Sequence, residues 1–483
     1  MRIALASYLD VPMQTRSLIA LVLLALPAFA DESPWSTYRG NARRTGNTDN
    51  VAGPAKPDVI WFMQSTEKYV ASPVPTATDV LFPALRGFND GVMNCFPMSP
   101  KDAKEVKPSW SKTGPLIRFP TVSSPAVADG KVIFGAGMHD TEGTTLYCVP
   151  ADGGHLLWAY VVTGPLIHIE GAPAVANGRV YVGGGAAGVL CLELNTVVLD
   201  GKELSVKEVP ALQAARLKEL QAKYEIEKKK DPDFAIAPTE NDLLKPAPKT
   251  LWTQGQKRWH VDAPLLVAGD KVIVGSAFLD KEKEGDRAVF CLDAANGKEL
   301  WRAPLTYNPW GGPALAGDTV IVTNSSIAYD MKMLDGAKGE VVAIGLADGK
   351  EKWKKSVPGG VLGCAAATKD AAVFACTDGK LRAFELKDGS RKMIYDAKCP
   401  IFAPPAVVGD TAYIADLGGV VHAVDLKTGN AIWTMDLGKE PLKLPGSNYG
   451  GVTVHGGRVY LATCNLEGKY AGQPSVVVCL GAK

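Results

Sequence analysis

One pattern decides the fold of this chain, and it is clearest in Cys291-Leu-Asp293-Ala-Ala-Asn-Gly297-Lys-Glu-Leu-Trp301 and Ala423-Val-Asp425-Leu-Lys-Thr-Gly429-Asn-Ala-Ile-Trp433. In both, a small residue precedes an Asp by two positions, a Gly follows that Asp, and a Trp follows the Gly. The apolar residues before the Asp predict a strand, the Asp and Gly predict a tight turn, and the Trp falls on a returning strand.

A longer repeat surrounds this pattern. It begins with a small residue and Pro, continues through an apolar triplet, a Gly/Asp turn and a β-branched run, and ends at the Trp. The clear copies run from Ser124 to Trp158, Ala263 to Trp301 and Pro404 to Trp433, and weaker copies start near Pro73, Pro173, Pro313, Ala365 and Val452. Each copy predicts a four-stranded antiparallel meander. Eight copies spaced mostly by about 40–50 residues predict an all-β, eight-bladed β-propeller.

The third copy contains a charged insertion, approximately residues 195–250. Leu212, Arg216, Leu220 and Tyr224 recur there at helical spacing. We predict a helical hairpin or an ordered flap laid on one face of the propeller. A mobile excursion without a partner is the alternative.

The N-terminal part of the chain carries the strand pattern that the last repeat lacks. The eighth copy stops after Ser475-Val-Val-Val-Cys-Leu480 without a Trp strand, whereas residues 58–62 form an isolated strand pattern containing Trp61. We predict that the strand at 58–62 completes the last blade, which removes the free edge between the first and last repeats. Residues 31–483 then form a single domain.

The N-terminal segment has the pattern of an export signal. A basic residue, Arg16, precedes the apolar run 17–26, which leads to Ala28-Phe29-Ala30. We predict a signal peptide, residues 1–30, cleaved after Ala30, with translation starting at Met1 or Met13. The apolar run is too short for a transmembrane span, so we expect a periplasmic or secreted bacterial protein.

The repeat resembles that of quinoprotein-type eight-bladed propellers. This family includes pyrroloquinoline-quinone (PQQ) alcohol dehydrogenases and the non-catalytic lipoprotein scaffold of the outer-membrane protein assembly machine. The dehydrogenases carry adjacent cysteines beside the quinone, and no two cysteines are adjacent here. The chain is therefore closer to the scaffold type, which implies no cofactor; PQQ with calcium is the alternative.

The repeated Trp and Cys residues have a structural explanation. The resemblance implies that the repeat Trp residues dock between adjacent blades; they are Trp61, Trp110, Trp158, Trp252, Trp301, Trp353 and Trp433. Five cysteines share one repeat slot and are predicted to be free and buried, namely Cys95, Cys148, Cys191, Cys291 and Cys479. Cys364 and Cys376 could face each other across a hairpin, either bridged or free.

Composition and motifs exclude several functions. Lys and Arg total 52 against 51 for Asp and Glu, a net charge of +1, which argues against nucleic-acid binding. The six His residues show no paired zinc spacing and no Cys-x-x-Cys occurs, so no metal site is predicted. No Gly-x-Ser-x-Gly motif is present.

One face of the predicted propeller carries the candidate site. In a meander, the loop before the first strand and the loop between the second and third strands lie on the same face. Long second-to-third loops occur at 138–143, 278–285, 325–335 and 465–471. Aromatic, basic and acidic residues that the repeat does not require precede the first strands: Tyr69, Arg118, Phe119, His168, Glu170, His260, Trp310, Phe402 and Tyr449.

Two functions remain open at this point. The first is an exported, monomeric binding scaffold whose loop face takes a protein segment or a glycan. The second is a PQQ-dependent oxidoreductase. A third interpretation assigns these side chains the structural task of plugging the channel.

Overall fold

The strands of this protein form eight separate antiparallel sheets within the residues that the computed structural model describes, 35–87 and 90–482. This arrangement confirms the predicted all-β, eight-bladed propeller. The predicted signal peptide and both candidate start methionines lie outside the described residues.

The strands follow the order of the repeats, and each sheet is numbered here as a blade. The chain begins with β1 (Asp58–Ser65) and blade 1, made of β2 (Val74–Pro75), β3 (Asp79–Gly87), β4 (Asp90–Pro97) and β5 (Trp110–Thr113). Blade 2 contains β6 (Ala126–Ala128), β7 (Lys131–Ala136), β8 (Gly143–Pro150) and β9 (Trp158–Thr163). Blade 3 contains β10 (Ala174–Ala176), β11 (Arg179–Gly183), β12 (Val189–Leu199), β13 (Lys202–Ser205) and β14 (Ala247–Gln254).

The later blades repeat the four-stranded plan. Blade 4 contains β15 (Leu266–Ala268), β16 (Lys271–Leu279), β17 (Glu284–Asp293) and β18 (Glu299–Pro304), and blade 5 contains β19 (Pro313–Ala316), β20 (Thr319–Ser325), β21 (Lys338–Gly345) and β22 (Glu351–Pro358). Blade 6 contains β23 (Ala366–Ala367), β24 (Ala371–Ala375), β25 (Lys380–Glu385) and β26 (Arg391–Asp396), and blade 7 contains β27 (Ala406–Val408), β28 (Thr411–Ala415), β29 (Val420–Asp425) and β30 (Ala431–Asp436). Blade 8 contains β31 (Thr453–His455), β32 (Arg458–Ala462) and β33 (Ser475–Gly481).

The small residue of the repeat lies directly opposite the Trp in the neighbouring strand. Cys291 pairs with Trp301, and Ala423 pairs with Trp433. Because a cross-strand neighbour shares the same face of the sheet, a small side chain leaves room for the indole. The same pairing in blades 1, 2, 3, 5 and 8 explains why this slot takes Cys or Ala, whereas Ala383 of blade 6 lies opposite Met393. All five slot cysteines are free and buried as predicted.

Each repeat Trp connects its blade to the next. The indole N–H of Trp301 in blade 4 donates to the carbonyl of Leu346 in blade 5 at 2.9 Å, and that of Trp353 donates to Leu386 in blade 6 at 2.8 Å. The other five make the same kind of bond, to Met98, Ala151, Leu194, Ala294 and Pro54. Four of the seven rings are buried, whereas Trp110, Trp252 and Trp433 are half-buried.

The N-terminal strand completes the last blade. Strand β1 pairs antiparallel with β33 from Asp58 opposite Gly481 to Ser65 opposite Ser475. Within this ladder, Trp61 lies opposite Cys479, so the first strand supplies the Trp that the eighth repeat lacks. The two ends of the repeat region are therefore held in one sheet.

The insertion is ordered and packs against the outside of blades 1 and 2. It contains β13, a helix α1 (Val209–Lys230) and the fourth strand of the blade, β14. Gln213 of α1 is buried and donates to the carbonyl of Leu156 at 2.6 Å. Glu240 forms an ion pair with Lys112 at 2.7 Å. These contacts favour the ordered flap over the mobile excursion.

Residues 35–46 close the channel by binding to the innermost strands. Their carbonyl groups accept backbone hydrogen bonds of 2.7–3.2 Å from the first strands of six blades. The donors are Val127, Val175, Leu315, Ala367, Val407 and Val454, and the acceptors in the same order are Trp35, Ser36, Ala42, Arg43, Thr45 and Gly46. The sequence did not indicate this role.

Cys364 and Cys376 are both free and buried, so the unbridged alternative is the one observed. Within the described residues, no helix combines the length and the apolar character that crossing a bilayer requires.

Candidate functional site

A funnel-shaped cavity of about 570 Å³ opens on the face that carries the long loops. Its wall consists of the loops that lead into first strands and the loops between second and third strands, as in Trp310 and Tyr329 of blade 5. Tyr38, from the segment that closes the channel, lines the same cavity. The cavity is thus a blind funnel.

One side of the funnel is aromatic. Phe402 and Tyr449 contact edge to face with ring centroids 5.2 Å apart, and Tyr329 contacts Phe402 at 5.8 Å. Trp310 packs against the same cluster and donates its indole N–H to the carbonyl of Ile327 at 2.9 Å. Edge-to-face packing holds these rings in fixed orientations, so this side offers a preformed apolar surface.

The carboxylate of Glu467 links a loop of blade 8 to a loop of blade 5 next to these rings. Glu467, from the loop between β32 and β33, accepts the hydroxyl of Tyr449 at 2.5 Å and the backbone N–H of Met331 at 3.3 Å. Met331 belongs to the long loop of blade 5, so that loop reaches blade 8. Burial and this carboxylate both raise the pKa of Tyr449 above its usual range.

The opposite side contains three imidazole rings and two carboxylates. Asp262 lies between two buried rings, with Oδ1 2.8 Å from His168 Nε2 and Oδ2 2.9 Å from His260 Nε2. The first contact is a hydrogen bond, whereas the second is out of line for one. The ring of His139 is centred 5.7 Å from that of His168, and its backbone N–H donates to Glu170 at 2.8 Å.

The ionisable groups in this cluster shift one another's pKa values. Burial by itself lowers the pKa of His168, but the adjacent Asp262 carboxylate outweighs it and raises this pKa to about 9. Burial by itself raises the pKa of Asp262, but the two imidazoles hold it well below its usual range. Enclosure raises the pKa of Glu170, although one-third of its side chain is exposed, and Asp262 adds to this effect.

The structure brings some of the predicted residues together. Glu170, Trp310 and Tyr449 line the funnel. His168 and His260 lie fully buried behind Asp262.

Besides His168 and His260, four predicted residues lie outside the funnel lining. Phe402 is buried beneath Tyr449. Tyr69 is buried and donates its hydroxyl to Glu67 at 2.9 Å, Phe119 packs against the core between blades 1 and 2, and Arg118 is exposed. Tyr69 and Phe402 lie on loops whose neighbouring residues Val70 and Pro404 do line the funnel, but both rings are buried in the core.

Other lining residues were missed by the sequence reasoning. His139 lies on the loop 138–143, which its length had singled out, but its proximity to the other two His residues has no sequence signal. Asp262, Tyr329 and Glu467 also line the funnel. Each of these residues comes from a different blade, and local periodicity carries no information about such meetings.

The funnel is acidic. Five carboxylates of the described residues line it against a single lysine, Lys281, and the protonated His168 behind Asp262 offsets one of them. The carboxylates are those of Glu170, Asp262, Asp280, Glu282 and Glu467. Although the whole chain is nearly neutral, this face favours cationic groups.

The fold and funnel define a propeller of the quinoprotein type, and comparison with known proteins gives the family. The sequence matches the family described as "Outer membrane protein assembly factor BamB" over residues 98–205, 244–397 and 285–471. The chain belongs to this family.

Two curated relatives have the same description. The chain is 24% identical over 181 residues to the outer membrane protein assembly factor BamB of Alkalilimnicola ehrlichii and 26% identical over 191 residues to that of Burkholderia pseudomallei. These alignments cover 37% and 38% of this chain. The chain spans 44% of the length of each relative.

Solved structures share the fold. BamB from Moraxella catarrhalis superposes with a TM-score of 0.55 at 14% identity, over 89% of this chain and 98% of that one. A europium-containing methanol dehydrogenase gives 0.60 at 13% identity, over 94% and 99%. BamB and a dehydrogenase thus both share this fold, so function must be argued from the funnel.

Proposed function

We propose that this protein is an exported, non-catalytic scaffold that binds a protein segment in its funnel. The family, whose described members are outer membrane protein assembly factors, supports a role in handling other proteins. The place of action that we propose is the bacterial envelope, after cleavage behind Ala30.

The observation that carries this proposal is the combined apolar and acidic lining of the funnel. Trp310 and Tyr449 offer aromatic surface on one side, and Glu170 and Asp262 offer negative charge on the other. An extended segment that presents apolar side chains together with Lys or Arg fits both sides. About 570 Å³ accommodates a few side chains of such a segment rather than a folded domain.

The residues present do not fit the quinone alternative. PQQ is a multiply charged anion, and the funnel sets five carboxylates against one lysine. Cys464, the cysteine in the lining, has no cysteine neighbour in the sequence to form the adjacent pair of the dehydrogenases. We therefore propose no reaction for this site.

The proposal can be tested with two synthetic peptides that share the same apolar residues and differ only in carrying Lys or Glu. We expect saturable binding of the Lys peptide, measured by fluorescence anisotropy, and much weaker binding of the Glu peptide. Trp310→Ala should weaken binding of the Lys peptide roughly tenfold or more, since buried aromatic residues dominate such contacts. Glu467→Gln should weaken it less.

The matched control is Ile432→Ala, which removes a side chain 48% exposed on the outermost strand of blade 7. It should leave binding unchanged. Equal binding of the two peptides, or unchanged binding by Trp310→Ala, would contradict the proposal.

A photo-crosslinker in place of Met333, at the funnel wall, should capture peptide from an envelope fraction. Capture of glycan instead would assign the funnel to the other ligand class.

A further inference from the structure

Three histidines from three blades meet at the acidic side of the funnel. His139 lies between β7 and β8, His168 precedes β10, and His260 precedes β15. One ring nitrogen from each lies within 4.8 Å of the others. The rings of His168 and His260 are the closest pair, with centroids 5.1 Å apart.

The two buried rings have unsatisfied nitrogens. His168 and His260 are both fully buried, and Nδ1 of each has no hydrogen-bond partner among residues 35–87 and 90–482. Nε2 of His260 makes no in-line hydrogen bond, but it lies 2.9 Å from Oδ2 of Asp262. A buried polar atom without a partner costs about 1–3 kcal/mol, so the two unpartnered Nδ1 atoms favour a bound ligand at this cluster.

Carboxylates surround the imidazoles as they do in metal centres. Asp262 contacts Nε2 of both buried rings, and Glu170 accepts the backbone N–H of His139. Glu282 lies 3.6 Å from Nε2 of His139. Carboxylates next to metal-binding histidines orient the rings and make them better ligands.

We propose that His139, His168 and His260 bind one borderline divalent transition-metal ion, Zn²⁺ being the representative case. Imidazole nitrogens select this class of ion over Ca²⁺ and Mg²⁺, which prefer oxygen. Three protein ligands leave a fourth position open to the funnel, where a carboxylate, water or ligand group can bind. This inference does not depend on the proposed peptide-binding function.

The site needs little rearrangement to accept the ion. Zn–N distances are about 2.0–2.1 Å, so ligand nitrogens lie at most about 4.2 Å apart. The buried rings are held by their surroundings, whereas the side chain of His139 is 40% exposed. The distances between the three ligand nitrogens, now up to 4.8 Å, therefore shorten mainly by movement of His139 and its loop. Binding would fasten that loop to blades 3 and 4.

The test uses the whole protein after treatment with a chelator and its removal. We expect one Zn²⁺ per chain by isothermal titration calorimetry. Co²⁺ should bind at the same place and show visible d–d bands without thiolate charge transfer, which separates imidazole binding from binding by the cysteines. Metal should raise the midpoint of thermal unfolding, because it binds only the folded state.

His139→Ala is the decisive variant because the side chain of this loop residue is 40% exposed and can be removed without disturbing the core. It should weaken Zn²⁺ binding by roughly 10–100-fold or more and abolish the thermal shift. The matched control is His155→Ala, whose side chain is 51% exposed and lies near Glu240 of the insertion; it should behave as the wild type. Absence of stoichiometric binding, or equal affinity in His139→Ala, would overturn the proposal.

Discussion

Two arginines carry buried charge at the centre of the molecule. Arg44 is fully buried and donates to the carbonyls of Leu265 at 2.5 Å, Pro313 at 3.0 Å and Tyr38 at 2.6 Å. Burial lowers the pKa of Arg44 to about 10, so the guanidinium stays charged at neutral pH. Arg39 donates in the same way to blades 7 and 8. These residues fasten the closing segment to the blades.

We expect Arg44→Met to reduce the free energy of unfolding by about 3 kcal/mol or more. The substitution leaves buried carbonyl groups without donors, and a hydrogen bond to a charged group contributes about 1.5–3 kcal/mol. Chemical denaturation monitored by circular dichroism measures the loss. The adjacent Arg43 is exposed, so Arg43→Met is the control and should change stability by less than about 0.5 kcal/mol. Equal effects of the two substitutions would show that Arg44 does not anchor the segment.

At the scale of strands and turns, the contact between blades joins a Trp to a Gly. Gly349 of blade 5 adopts φ +70, and an added Cβ there would lie 2.7 Å from the ring of Trp301 in blade 4. An added Cβ at Gly297 would likewise meet the ring of Trp252, and one at Gly389 would meet the ring of Trp353. The Gly of one repeat thus packs against the Trp of the preceding repeat, across the boundary between two blades. Within a single repeat, the Gly and the Trp also belong to the same sequence motif.

Gly349→Ala should destabilise the protein more than Gly317→Ala. Both glycines have positive φ, but nothing lies within 4 Å of an added Cβ at Gly317. The control therefore reports only the backbone cost of about 1–2 kcal/mol, and Gly349→Ala should lose a further 1–3 kcal/mol or so from overpacking. Thermal and chemical unfolding of the two variants measures the difference. Identical losses would mean that the indole moves aside freely.

At the scale of the whole molecule, closure depends on residues that precede the first complete repeat. Strand β1 covers the edge of β33, and residues 35–46 bind the innermost strands of six blades. The indole of Trp433 in blade 7 donates to Pro54, just before β1. The same stretch of chain therefore seals the ring on its outer side and at its axis.

A chain that begins at residue 66 should fold poorly and associate. Without β1, the edge of β33 is exposed, and an uncovered edge pairs with other chains. Size-exclusion chromatography with light scattering should show aggregates, whereas a chain that begins at residue 35 should behave as the longer protein. Addition of a peptide spanning residues 56–66 should partly restore the unassociated form. A monodisperse, stable product without the peptide would contradict the role of β1 in closure.

The sequence by itself determined the number of blades, the order of strands, the Trp contacts and the small Cys and Ala slot. These features recur along the chain, with Met393 in place of the Trp in the sixth blade, so the copies reinforce the same local pattern. The side of the funnel was also predictable, because antiparallel strands place alternate loops on one face. Of the nine predicted site residues, Glu170, Trp310 and Tyr449 reach its lining.

Only the tertiary structure decided which loop residues meet. His139, His168 and His260 lie on different blades, and Asp262 holds two of them although nothing in its local sequence distinguishes it. The role of residues 35–46 was likewise invisible, since their hydrogen bonds run to strands throughout the chain. The physical reason is that ring closure brings together side chains far apart in sequence, and such contacts leave no periodic pattern.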